Sequence, residues 1–451
     1  MLLHVGNAWA KLVSASPSEL SFVKKFLSYK SVTHTGKTKE LTLLRKDMFP
    51  AGLAARLTRI AREFNLTVEV VKRTQQTHIG ELADIETDWS PRAHQAEALD
   101  VIRSKRRGLI QHATGGGKSD LIGLLAALIK GRVLIVATSK KLQEDLVKRC
   151  MKFKVKPGQV GSGLHDTSKR VTVCNDDSLK RLSKTELLSY NAILCDEVHH
   201  GASATHQKAL MQCVNADIRL GFSATALDRS DKKGLFIVGA IGDTIHVYTQ
   251  AQAVKDGAIS AAKLRMPRFV HTSIHGAGDY TDWEQTQIAQ NSARNLMVLR
   301  LIASTEAPRI VFVRTKLHQQ KLVELLGSCV WVNDETPTDK ADQMVRDLCN
   351  GVVGTLVSTP IYRQGIDIPQ IKTVINAAGG KATIDVIQKV GRGSRILQPD
   401  GSRKETFSVY DVYDEGCGCG GELHKSCEWL HRHSEGRKAA YLKFGYVIEV
   451  E

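Results

Sequence analysis

No apolar run in this sequence is long enough to cross a bilayer. The longest candidate, residues 121–129, is interrupted by Gly123 and falls well short of the roughly 20 residues a spanning helix needs. The first residues lack the apolar h-region of a signal peptide and carry Trp9 and Lys11 in a short mixed stretch. Nine cysteines, an odd number, are scattered rather than set at framework spacings. Cys174 and Cys195 fall in runs that read as buried strands, where a thiol acts as a small hydrophobe. These shortages argue against a membrane span and a disulfide-stapled secreted fold, and imply a reducing cytoplasm. Low-complexity tracts are lacking too, and 42% hydrophobic with 24% charged residues is the balance of a globular chain.

Acidic residues are in deficit. Lys and Arg number 63 against 47 Asp and Glu, a formal charge of +16, which favours a polyanionic partner such as a phosphate backbone. The excess is concentrated at the start: up to Arg73, thirteen basic side chains face five acidic ones. Lys24, Lys25, Lys30, Lys37, Lys39, Arg45 and Lys46 are its densest part.

At 451 residues the chain suits two or three domains. Residues 1–85 read as a small α+β unit: helical apolar spacing over 18–29 with Ser18 as cap, a basic amphipathic helix over 52–64, strands at 40–44 and 66–71. A polar, acidic linker is expected over 80–88. From Ser90 strands alternate with helices, with strands at 108–111, 132–137, 171–174, 192–195 and 218–222 and helices at 118–130 and 140–150. Helix 118–130 is apolar nearly all round and reads as buried. After a less regular stretch, 265–291, strands recur at 309–313, 329–332, 355–358, 373–376 and 407–410. Alternation of this kind predicts parallel sheets covered on both faces. The domains expected are 1–85, 86–260, 261–415 and a C-terminal tail, 416–451, packing on the second α/β unit.

His112-Ala-Thr114-Gly115-Gly116-Gly117-Lys118-Ser119 follows an apolar strand and opens a helix. Glycines there let backbone N–H groups close around phosphates at a helix N-terminus. Lys118 reaches the β/γ-phosphates in such a loop, and the Ser119 hydroxyl holds Mg²⁺. The usual pattern begins with glycine, where this chain has His112. Asp196-Glu197-Val-His199-His200 follows a second strand. Asp196 there suits Mg²⁺ orientation through water, and Glu197 alignment or deprotonation of the attacking water. The adjacent histidines do not converge easily on one metal, and no third ligand is indicated.

Together these residues resemble the superfamily 2 helicases, and further segments match that family in order. Pro91–Gln95 is similar to its adenine-contacting segment, which makes Gln95 the base-reading residue. Val136-Ala137-Thr138, followed by Leu142, looks like motif Ia, and Gly221-Phe-Ser223-Ala-Thr225 like motif III, whose Ser223 and Thr225 would couple hydrolysis to DNA movement. Residues 309–313 fit motif IV. Gly365-Ile-Asp367-Ile-Pro369 looks like motif V, with Gly365 near the γ-phosphate and Asp367 near the ribose. Gln388-Lys-Val-Gly-Arg392-Gly-Ser-Arg395 matches motif VI, whose arginines neutralise the transferring phosphoryl once the two lobes close. Arg395 is the expected finger and Arg392 the γ-phosphate contact.

The resemblance implies two tandem RecA-like parallel-sheet domains with a small α+β N-terminal domain, ATP and Mg²⁺ as cofactors, and DNA translocation or unwinding. Within the superfamily the chain looks like the XPB-like, RecG-like and restriction-motor branch, and is similar to tailed-phage UvsW-type branch-migration helicases. That implies forked or four-way DNA as substrate, roles in recombination, repair and replication, a host-cytoplasmic location if phage-encoded, a monomer, and contact with recombination or replication proteins. The DNA-contacting residues it suggests are Lys24, Lys25, Lys37, Lys39, Arg45, Lys46, Thr138 and Thr359. Rival readings are an RNA helicase, the motor of a restriction nuclease, and a non-enzymatic ATP-gated binding module. The intact Lys118, Asp196, Glu197 and Arg395 oppose the last. Cys417, Cys419, His424, Cys427, His431 and His433 hold enough ligand atoms for zinc, but Cys-x-Cys spacing favours a flexible loop.

Overall fold

A computed structural model describes residues 1–32, 38–72, 76–200, 203–225, 234–271, 280–359, 368–381, 383–398, 400–416 and 425–449. The chain forms two compact units. One comprises Met1–His112 and Gly117–Tyr248; the other comprises Ala113–Gly116 and Thr249–Glu451.

The first unit begins with a small sheet ordered Met48–Pro50, Trp9–Ser14, Leu2–Val5, Glu69–Lys72. Leu2–Val5 runs antiparallel to Trp9–Ser14 and parallel to Glu69–Lys72. The first helix is Pro17–Phe26, capped by Ser16 rather than Ser18. The Ser16 hydroxyl accepts from the Glu19 N–H, and the Glu19 carboxylate accepts from the Ser16 N–H, a reciprocal cap that fixes the start one turn before the apolar run. The helix also ends earlier than its spacing predicts, because Leu27 C=O accepts from the Leu43 N–H at 2.8 Å and Ser28–Val32 pairs with Thr38–Thr42. The basic helix is Ala54–Glu63. Its Arg56 forms a fork on Asp243, with Nε at 2.9 Å. Gly52 lies so close to the Val238 and Gly239 carbonyls that a Cβ would fall 2.0 Å from the nearer oxygen.

Residues 80–88 do not behave as a free linker. Gly80 N–H donates to Leu128 C=O at 2.9 Å, and Ile79, Leu82, Ile85 and Trp89 pack on the core beside Leu121–Leu128. Apolar side chains spaced three or four residues apart give this segment one greasy face, which outweighs its acidic composition.

The main sheet of this unit has eight strands, ordered Leu164–His165, Gly158–Gly161, Val171–Asn175, Val133–Ala137, Ala192–Cys195, Ile218–Ser223, Arg107–His112, Thr244–Tyr248. All pairings are parallel apart from the short hairpin at Leu164–His165. Helix Lys118–Leu128 is buried over Leu121–Leu128 without interruption, as its all-round apolarity predicts.

The second unit holds a seven-stranded parallel sheet ordered Val330–Val332, Thr355–Ser358, Arg309–Phe312, Thr373–Asn376, Thr406–Asp411, Ala261–Arg265, Ile448–Glu449. Its irregular approach contains strand Arg268–Val270, paired with Tyr413–Glu415, and a π-helical turn, Glu284–Ala289. The long helix Lys425–Lys443 is fastened to the sheet by buried polar bonds: Arg437 Nε to Asp411 Oδ1 at 2.9 Å, and the Ser434 hydroxyl accepting from the Asp414 N–H at 2.9 Å. Two parallel-sheet units of this kind are the RecA-like α/β architecture the motifs imply.

Candidate nucleotide site

Three neighbouring strands build the site in the first unit. Ile218–Ser223 lies between Ala192–Cys195 and Arg107–His112, in register Cys195↔Gly221 and Ser223↔Gln111. Because all three run parallel, the phosphate-type loop, Ser223 and the acidic pair leave the same edge of the sheet. Ligands of open α/β sheets bind beyond that carboxyl edge.

Gly115 and Gly117 have φ of +84° and +81°, a backbone that L side chains resist. A Cβ on Gly117 would fall 2.5 Å from Gln95 Nε2. Gln95 is buried; its Nε2 donates to Gly117 C=O at 3.1 Å and its Oε1 accepts from the Arg92 N–H at 3.0 Å. Its amide therefore braces the turn. Lys118, also buried, donates to His112 C=O at 3.2 Å, which ties its ammonium back to the start of the loop. Thr114 and Ser119 are half-buried.

The residue that departs from the usual loop pattern is turned away from it. His112 is fully buried, its Nε2 2.9 Å from His246 Nδ1 on the neighbouring strand. Burial, then His246 and Lys118, pushes it down to about 2, so it is a neutral packing group. Next to it His94 stacks on Tyr248 with ring centroids 3.7 Å apart.

Asp196 follows strand Ala192–Cys195 and is 4% exposed. Its N–H donates to Val136 C=O, and its Oδ1 accepts from the Glu197 N–H at 3.0 Å. Burial and then the adjacent Glu197 carboxylate raise its pKa, against the opposing charge of Lys118. A carboxylate in that position is one a cation would discharge, which fits a divalent ion. Glu197 itself has φ +44°, a costly conformation for a non-glycine residue. Ser223 joins the pieces: its Oγ is 2.9 Å from His199 Nδ1, 3.4 Å from Glu197 Oε2, and accepts from the Thr225 N–H at 3.1 Å. Sequence reasoning assigned His199 no role; its buried place here follows from the short turn after the strand, which strand-level periodicity does not resolve. Thr138 is half-buried just past strand Val133–Ala137.

In the second unit, Gln388 lies on helix Thr383–Gly391, with Arg392 and Arg395 just beyond it; all three are partly exposed. Lys389 instead points inward at 2% exposure. Gly393 fits only without a side chain, since a Cβ would meet the Phe407 ring at 2.2 Å. Thr359 is buried after strand Thr355–Ser358. Gly365, Asp367, Lys37, Cys417, Cys419 and His424 lie outside the described residues, as do the side chains of Lys39 and Cys427. Lys24 and Lys25 are exposed in the last turn of their helix, and Arg45 and Lys46 are exposed in a turn. No helix among the described residues is long and apolar enough to cross a membrane.

Residues 88–228 match the family described as "Type III restriction enzyme, res subunit", and residues 293–397 the "Helicase conserved C-terminal domain". The chain is similar to putative helicase 22 of Sulfolobus islandicus filamentous virus, 24% identical over 328 residues, covering 64% of this chain and 58% of that protein. It is likewise similar to the ATP-dependent DNA helicase uvsW of Enterobacteria phage T4, 22% identical over 401 residues, covering 81% of this chain and 77% of the relative. The chain thus spans just under three fifths of the viral protein and about three quarters of the phage one. Among solved structures, a fragment of a putative HsdR subunit of a type I restriction enzyme from Vibrio vulnificus shares the fold with TM-score 0.56 at 18% identity, covering 93% of this chain and 82% of that one.

Proposed function

Because the chain belongs to the superfamily 2 helicases, with a restriction-type first motor region and a helicase C-terminal region, we propose that it hydrolyses ATP to move along duplex DNA and to remodel forks and four-way junctions. The observation that carries this is the three-strand edge at which Gly117 and Lys118, Ser223 and the Asp196–Glu197 pair all lie within the first unit. Such an edge is suited to hydrolysis rather than mere nucleotide retention.

Backbone N–H groups of Thr114–Ser119 hold the phosphates, and Lys118 exchanges its bond to His112 C=O for phosphate oxygens. Ser119 and Asp196 would hold Mg²⁺, which would neutralise phosphate charge. Among the described residues no three His, Cys, Asp or Glu side chains converge as a metal site, and Mg²⁺ needs none, since it takes one or two carboxylates with phosphate and water. Glu197 aligns the attacking water. Arg392 and Arg395 neutralise the charge that develops on the transferred phosphoryl, and Gly365 and Asp367 serve the γ-phosphate and ribose. Hydrolysis alters Ser223 through Glu197 and so changes the state of the motor. Lys24, Lys25, Arg45 and Lys46, with Lys37, Lys39, Thr138 and Thr359, grip phosphates of the duplex.

The DNA substrate rests on the phage relative, named as a DNA helicase, and on the basic N-terminal surface. The test is a steady-state ATPase and unwinding panel with single strands, blunt duplex, forks and four-way junctions, each as DNA and RNA. Branched DNA is expected to stimulate most. Stronger stimulation by duplex RNA would replace this reading with an RNA helicase.

A further inference from the structure

Lys389 belongs to the helix that carries Gln388 and leads to Arg392, yet its ammonium enters the core of the second unit. There it donates to Asn376 Oδ1 at 2.8 Å, lies 3.1 Å from Asp385 Oδ2 and sits over the Phe312 ring at 5.9 Å. Asn376 Nδ2 donates to Asp411 Oδ2 at 2.9 Å. The same Asp411 oxygen accepts from the Tyr441 hydroxyl at 2.6 Å, and Asp411 Oδ1 accepts from Arg437 Nε at 2.9 Å. Arg437 Nη1 donates to Gly380 C=O at 2.8 Å, just ahead of helix Thr383–Gly391. Arg437, Tyr441, Asp411, Asn376 and Lys389 are all 2% exposed or less.

The bonds form an unbroken chain from helix Lys425–Lys443 to Lys389. Asp385 faces Lys389, and Arg437 faces Asp411 with Asp414 also 3.9 Å away, so each cation has a carboxylate partner. Buried charges persist only when paired and hydrogen-bonded in this way, and at low local dielectric such a network holds its geometry tightly. It touches the motif VI helix at both ends: before its first turn at Gly380, and in its last turn at Lys389.

We propose that Arg437 and Tyr441 are positioning residues for hydrolysis. Through Asp411 and Asn376 they fix the helix whose end presents Arg392 and Arg395. The proposal rests on the reading that those arginines act on the transferred phosphoryl. Placing a charge for transition-state contact demands sub-ångström precision, and this network supplies it from a helix outside the catalytic motifs.

The test uses the full chain with Tyr441→Phe, which removes one hydroxyl and leaves the Asp411–Arg437 pair, and with Arg437→Lys, which keeps the charge but cannot bond Asp411 and Gly380 C=O as the guanidinium does. Turnover at saturating nucleic acid is expected to fall about tenfold, with the KM for ATP nearly unchanged and the melting temperature of Tyr441→Phe lowered only by the loss of one buried hydrogen bond. Adding Tyr441→Phe to the Arg392→Ala/Arg395→Ala double variant is expected to cost nothing further, because both positioned groups are already gone. Wild-type turnover in folded Tyr441→Phe, or a further loss when Tyr441→Phe is added to the variant lacking both arginines, would overturn the proposal. Should Arg437→Lys not fold, Tyr441→Phe alone decides it. Unchanged turnover in Arg395→Ala would instead remove the motif VI reading itself.

Discussion

The Ser223 hydroxyl lies 2.9 Å from His199 Nδ1 and 3.4 Å from Glu197 Oε2. With the proton on Nδ1, it accepts from His199 and from the Thr225 N–H and donates to Glu197, whose Oε2 is also 3.2 Å from His199 Nδ1, so the hydroxyl and the imidazole both meet the carboxylate we propose aligns water. A hydrogen bond to a charged group is worth about 1.5–3 kcal/mol. Ser223→Ala is therefore expected to lower the strand separation achieved per ATP by roughly tenfold or more, while nucleotide binding persists. Parallel measurement of phosphate release and unwinding checks this; an unchanged ratio would show that Ser223 does not couple the two.

Lys118→Ala is expected to reduce nucleic-acid-stimulated ATP hydrolysis by about 10²–10³-fold, the size seen when one preorganised charge donor is removed. Nucleic-acid affinity should change little. Retained turnover would overturn the assignment of the loop.

The basic N-terminal surface is best tested by substitution, because deleting residues 1–85 would also break the Arg56–Asp243 fork. Changing Lys24, Lys25 and Arg45 to Gln and Lys46 to Asn, which tolerates the φ of +57° found there, removes four positive charges. If each meets a phosphate, the slope of log K against log salt should become shallower by about 3–4. An unaltered slope would place the DNA elsewhere.

Gly52→Ala is expected to loosen the seat of the N-terminal sheet. Its new Cβ would meet two backbone carbonyls, at 2.0 and 2.6 Å, which cannot swing aside as a side chain could. Overpacking of this sort costs about 1–3 kcal/mol, readable as a lowered melting temperature.

His318 titrates with a sign that can be worked out. Burial first, and Arg294 second, push it down to about 3, while its Nε2 lies 3.1 Å from Asn295 Oδ1. Above the unfolded value of about 6.5 it is neutral in both states and costs nothing. As pH falls below that, the unfolded chain gains a proton the folded one resists, so stability drops by up to about 1.4 kcal/mol per pH unit until the folded value is reached. Denaturant midpoints between pH 7 and 5 should fall more steeply in the wild type than in His318→Gln; equal slopes would show that other groups carry the acid sensitivity.

Strands such as Ala192–Cys195, Thr355–Ser358 and Thr373–Asn376 were legible in the sequence because buried parallel strands are short segments centred on consecutive apolar residues. The edge strands Thr244–Tyr248 and Ile448–Glu449 were not, since an edge mixes exposed and buried residues and breaks that pattern. The cap is Ser16 and not Ser18 because the Glu19 carboxylate and N–H close on Ser16, a reciprocal contact that apolar spacing does not reveal. Arg219 shows the same limit: it sits in a strand, is fully buried, and donates to the carbonyls of Leu210, Ala216 and Ala240, partners that come from separate segments.

What the sequence by itself determined is what local chemistry can specify: the glycine-rich turn, the acidic pair after a strand, the order of the motifs, the alternation that makes two parallel-sheet units, and the excess of positive charge. Tertiary structure alone decided which side chains share an environment. It turned His112 away from the loop it begins, engaged Gln95 with Gly117, drew residues 79–89 onto the core, and connected Arg437 and Tyr441 to Lys389 through Asp411 and Asn376. The physical reason is that buried polar groups are satisfied by partners distant in the chain, and those distances close only when the sheets assemble.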